Sequence, residues 1–145
     1  MFAKHLDYDE WAAEVVRPGY LHREIAHPDW AQIEAAIRAL DGDARTEVAL
    51  RASNENPADT PHMMIGGGNE GRYIVYATYD GRRLFDLLRA GAGSNTDDED
   101  MKVVAGGQEG IYHAREVVDL ATALAAAQAF ALDGELAPGL NWDAH

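Results

Sequence analysis

Residues 72–79, RYIVYATY, are dense in β-branched and aromatic side chains. That composition suits the pleated surface of a strand. Side chains alternate along a strand, so Ile74, Tyr76 and Thr78 share one face. Tyr73, Val75, Ala77 and Tyr79 share the other. Asp80-Gly81 follows as a tight-turn signal, and residues 82–88 read as the returning strand. One face of this hairpin is expected to meet helices.

Shorter alternations flank it. Leu21, Arg23 and Ile25 alternate with Tyr20, His22 and Glu24, and residues 46–51 alternate with Val48 and Leu50 facing inward. Residues 62–65 read as a strand. Residues 102–105 and 111–115 read as two more, around a glycine turn at 106–110. Residues 52–61, with Asn54, Asn56, Pro57 and Pro61, read as a loop.

Two helices are expected. Asp29 can cap the first, and Gln32 three residues on completes a capping box. Trp30, Ile33, Ala36, Ile37 and Leu40 then recur at helical spacing, and Asp41-Gly42-Asp43 ends the run. Asp119 caps the second helix, whose stripe is Leu120, Ala123, Leu124, Ala127, Phe130 and Ala131. Gly134 closes it. In the tail, Trp142 is expected to dock on the core.

Strand, helix, a run of strands, then helix describes an α+β domain. The expectation is an antiparallel sheet of about five to seven strands with two main helices packed on one face. The 145 residues fit one domain, read as a core over 20–143 behind an N-terminal extension, 1–19.

Charge narrows the partner. Twelve basic residues stand against 25 acidic ones, a net charge of -13. Nucleic acid and anionic membrane surfaces both call for the opposite sign. A basic partner is favoured, because opposite charge steers encounter. The absence of cysteine excludes a disulfide framework, a thiolate nucleophile and a Cys-based zinc site. The first residues have no apolar h-region, and no apolar run approaches a transmembrane length, so a cytoplasmic protein is expected.

Catalytic machinery is thin. Gly66, Gly68 and Gly71 match G-x-G-x-x-G, but a nucleotide loop must open a helix, and here the 72–79 strand follows. The 106–110 stretch lacks the Lys-Ser/Thr of a phosphate loop. The histidines, His5, His22, His27, His62, His113 and His145, show no i, i+4 pair and read as structural or surface groups. Ser53 and Ser94 sit in loops without a nucleophile elbow. No catalytic residue, metal or cofactor is assigned. Asp97, Asp98, Glu99 and Asp100 form the densest acidic run, without the alternation or central glycine of a calcium loop. They are the candidate contact with a basic partner.

A recognisable pattern runs through the C-terminal half: residues 104–112 (VAGGQEGIY), Val117-Val118-Asp119, the helix at 121–132, and Phe130, Gly134-Glu135-Leu136, Pro138 and Asn141-Trp142. A looser match joins Pro28-Asp29-Trp30, residues 37–42 and the 66–73 hairpin. In these features, over residues 20–143, the chain resembles the Imm1 immunity proteins of bacterial polymorphic toxin systems. The resemblance implies a non-enzymatic protein that binds a cognate toxin, with nucleic-acid deaminases one candidate class. An acidic protein could occupy the basic surface by which such a toxin holds its substrate. Two rivals stand beside this reading. A small α+β enzyme or ligand-binding domain would show a deep pocket with convergent polar groups. A homo-oligomer subunit would pair an apolar strand face with its copy.

Overall fold

The computed structural model describes residues 1–12, 19–56, 58–92 and 99–145. The elements, in chain order, are β1 (His5–Ala12), β2 (Gly19–Ala26), α1 (Trp30–Arg38), β3 (Glu47–Arg51), β4 (His62–Gly67), β5 (Tyr73–Thr78), β6 (Leu84–Leu88), β7 (Asp100–Ala105), β8 (Gln108–His113), α2 (Leu120–Asp133) and β9 (Asn141–Ala144). Seven strands form one antiparallel sheet in the order β2-β1-β3-β4-β5-β6-β9, and β7 and β8 form a separate hairpin. The fold is α+β, as expected.

Both helices cover one face of the sheet. Cross-strand register puts Ile25, Leu6, Leu50, Met63, Ala77 and Phe85 in one row on that side. Leu6, Leu50, Met63 and Ala77 there are buried against Ile33 and Ile37 of α1 and Ala127 and Phe130 of α2. The caps match the sequence reading. Asp29 accepts from Gln32 N at 2.8 Å while Gln32 Oε1 accepts from Asp29 N at 3.0 Å. Asp119 accepts from Thr122 N at 2.8 Å, and Gly134 ends α2 at a φ of 69°. Of the two faces of the 72–79 run, that with Tyr73, Val75 and Ala77 meets the helices.

Two expectations need correction. Within the span 1–19 read as an extension, residues 5–12 form β1, which lies inside the sheet, between β2 and β3. Leu6 and Tyr8 point to the core and Asp7 and Asp9 away from it, a period-two pattern masked by acidic residues. The 106–110 turn is only Gly106-Gly107, both at positive φ, closing a two-residue hairpin between Ala105 and Gln108. Trp142 packs on the core as expected, and it does so within a strand, β9, at the sheet edge.

Candidate functional site

The sheet face away from the helices carries the polar half of β1 and a mix of polar and apolar groups from the strands beside it. One cross-strand row on it reads Glu24, Asp7, Ala49, Met64, Tyr76, Asp86, Asp143. The next begins with His22 and Asp9 and includes Glu47, Gly66 and Ile74. Trp11 and Tyr20 pair across β1 and β2 on the same face, edge to face at 5.4 Å. They are 45% and 41% exposed, high for large rings.

The β7–β8 hairpin leans over this face because glycines let it approach. A Cβ on Gly66 would stand 2.5 Å from Ala105 Cβ, and one on Gly106 would stand 2.7 Å from Glu47 Oε2. Gly107 N donates to Thr46 Oγ1 at 2.8 Å, pinning the hairpin tip. Asn69 holds the strand by accepting from Val104 N at 3.1 Å. Val103 is fully buried beneath it. Of the G-x-G-x-x-G match, Gly66 and Gly68 thus serve close packing and Gly71 a left-handed turn at φ +69°, ending the three-residue turn Asn69–Gly71 that leads into the strand β5.

Between hairpin and sheet lies a cavity of about 410 Å³ lined by Glu47, Met64, Ile74, Tyr76 and Asp86 from the sheet, and Ala105, Tyr112 and Glu116 from the hairpin side. Tyr112 lies back over Gly110, where a Cβ would be 2.8 Å from its ring. Burial, with Asp9 adding to it, pushes the Glu47 carboxyl up from its ordinary value. Burial, then Glu47 and Asp86, raise Tyr76; burial, then Glu116 and Glu47, raise Tyr112. These groups therefore feel one another across the cavity. His145 Nε2 meets Asp86 Oδ2 at 2.5 Å. Among the described residues neither Glu47 nor Glu116 has an ion-pair partner.

Toward the β2 edge the carboxylates are compensated. Arg51 Nε donates to Asp7 Oδ2 at 2.6 Å, and its other arm lies 3.4 Å from Glu24. His22 bridges Asp7 at 3.0 Å and Asp9 at 3.1 Å. His5 Nδ1 is 3.3 Å from Glu24 but outside hydrogen-bond geometry. Asp7, His22 and Glu24 offer ligand atoms within 4.8 Å of one another, a grouping that sequence spacing did not show. Arg51 already supplies the cation there.

The Asp9 hydrogen bond, helped by Asp7 and opposed by burial, raises the His22 pKa from 6.5. A raised histidine contributes stability that is fully present below its unfolded value and is lost as pH rises through the folded one. Thermal melts of the chain and His22→Gln should therefore differ most below pH 6.5 and converge at higher pH. Equal gaps at every pH would refute the linkage.

Of the acidic run, Asp97 and Asp98 lie outside the described residues. Glu99 and Asp100 are exposed where the hairpin begins, with Asp100 Oδ1 3.7 Å from His113 Nδ1. Ser53 Oγ accepts from Glu55 N at 3.0 Å in a loop, and Ser94 is outside the described residues. No helix among the described residues is long and apolar enough to cross a membrane.

The profile of immunity protein Imm1 matches residues 22–144. The chain belongs to the Imm1 immunity protein family. Among curated proteins none matches it. As an Imm1 member it is, by family, an immunity protein acting against a toxin. The matched span runs from within β2 to the end of β9, and β1, outside it, lies within the same sheet. The open-face groups Asp9, Trp11, Glu47, Asp86 and Glu116 escaped the sequence reading. For Asp9 and Trp11 the period-two pattern of β1 was available; for the others only pairing register brings them together.

Proposed function

We propose that this protein neutralises its toxin by laying the open sheet face and the β7–β8 hairpin over the toxin's active site or substrate channel. The observation that supports this most is the exposed Trp11–Tyr20 pair set among Asp9, Glu47 and the Glu24-to-Asp143 row. Exposed aromatic anchors ringed by polar groups are the usual centre of a tight protein interface. The carboxylates would steer a basic partner toward it. Such basic surfaces are what a nucleic-acid deaminase needs for its substrate, so that toxin class is the one proposed. Asp97, Asp98, Glu99 and Asp100 are proposed to extend the contact. The backbone supports this for the described part of the run, since Glu99 O accepts from Ala114 N at 2.8 Å, beside the turn carrying Glu116.

One observation favours a second reading. A cavity of about 410 Å³ with convergent polar groups is the size of a small-ligand site. Family membership weighs for the toxin.

The test is co-expression with the toxin domain encoded beside the gene. The expected result is a co-purifying complex and rescue of growth. Trp11→Ala should weaken the complex by roughly tenfold or more, as truncating an anchor does. Glu34→Lys, on α1 and away from the open face, should leave it unchanged. No complex and no rescue would defeat the proposal.

A further inference from the structure

We propose that the cavity beneath the β7–β8 hairpin is a socket for one arginine side chain of the partner toxin. The inference rests on the immunity reading and adds the chemistry of the contact.

The same sheet face shows how this protein treats carboxylates when it supplies their cation itself: Arg51 sits on Asp7 at 2.6 Å and near Glu24 at 3.4 Å. The second cavity, of about 680 Å³ behind the hairpin, mixes Glu70 and Asp119 with Arg72 and Arg89. The cavity under the hairpin differs. Glu47, Asp86 and Glu116 converge on it, and among the described residues its lining holds no lysine or arginine. Among the described residues only His145 pairs with one of the three, Asp86. Glu47 is drawn partly out of water there without a cation to offset the loss, and such a carboxylate gains from any cation that enters.

The rest of the lining selects the kind of cation. Met64 and Ile74 give an apolar floor suited to an alkyl stem. The Tyr76 and Tyr112 rings belong to opposite walls, β5 and β8, and flat rings favour a planar guanidinium over the compact, strongly hydrated ammonium of lysine. A guanidinium also has donors enough to serve two carboxylates at once. The wall that makes this enclosure is the hairpin, held by Gly66 against Ala105 and by Thr46 at its tip.

Two measurements test the socket, both on the full chain. In the first, the ¹⁵N-labelled protein is titrated with Nα-acetyl-arginine amide at constant ionic strength. Saturable shifts are expected at the amides of Ile74, Tyr76, Ala105 and Tyr112. Nα-acetyl-lysine amide should bind more weakly, and Glu47→Gln with Glu116→Gln should weaken the arginine probe by at least about fivefold. Shifts that rise linearly, spread over the whole acidic surface or survive the double variant would overturn the socket. In the second, toxin binding is compared between the parent chain and the double variant, after melting curves show both folded. A loss of roughly 10- to 100-fold is expected when a buried charge pair is broken. Equal binding overturns the socket and leaves the immunity reading standing. A parent chain that fails to bind the toxin overturns the immunity reading itself, and the socket with it.

Discussion

Phe130→Ala should destabilise the protein by about 3–5 kcal/mol, the cost of emptying a large aromatic site that cannot collapse. Phe130 is fully buried on α2. It meets Phe2 edge-on at 5.4 Å and Tyr79 at 6.0 Å. Relaxation into the hole is limited on both sides. Tyr79 is tied by its hydroxyl, which donates to Gly134 O at 2.7 Å. Phe2 is tied by its backbone, which donates to Leu132 O at 3.2 Å. Urea denaturation would measure the loss. Leu132→Ala, two residues on and 39% exposed, is the control; it should cost much less, since it empties no sealed site. Equal losses would mean that α2 is held by something other than the Phe130 contact.

Gly66→Ala should cost about 1–3 kcal/mol, the range for forcing an extra methyl into a packed contact. The backbone at Gly66 is not in the left-handed region, so strain in φ does not enter. The cost arises from distance alone: the new Cβ would lie 2.5 Å from Ala105 Cβ, and β7 must lift. Lifting β7 exposes Val103 and opens the cavity whose wall is Ala105. Ala105→Gly in the same chain moves the methyl from one side of the contact to the other and should restore most of the stability. A double-mutant cycle therefore reads the hairpin contact directly. Toxin affinity should fall in Gly66→Ala and return in the double variant. Additive losses would show that the two residues do not meet.

Much of this was legible along the chain. Capping residues act on the next few residues, so Asp29-Gln32 and Asp119 marked helix starts without help from tertiary structure. The face assignment in β5 followed from period-two alternation, and burial of Tyr73, Val75 and Ala77 agrees with it. β1 is hard to see because Asp7, Asp9 and Glu10 interrupt Leu6 and Tyr8, leaving a short period-two signal that only its pairing with β2 and β3 completes. The cavity was out of reach for a different reason. Glu47, Asp86 and Glu116 come from three elements far apart in sequence, and only the register of β3 to β6 and the docking of the hairpin unite them. Gly66 was visible as a glycine, but the methyl it must avoid belongs to residue 105.

The internal place of β1 also sets a timetable. Residues 5–12 are made before their partners: β1 pairs with β3 at residues 48–51, and Ala3 N donates to Ala131 O at 3.0 Å. Local elements such as α1 can form during synthesis, whereas these long-range closures must wait for their later partners. The seal between residue 3 and α2 cannot be finished until about residue 132 has emerged, and the sheet waits further for β9 at residues 141–144. A chain interrupted before α2 is therefore expected to lack the closed sheet, and with it the open face proposed to meet the toxin.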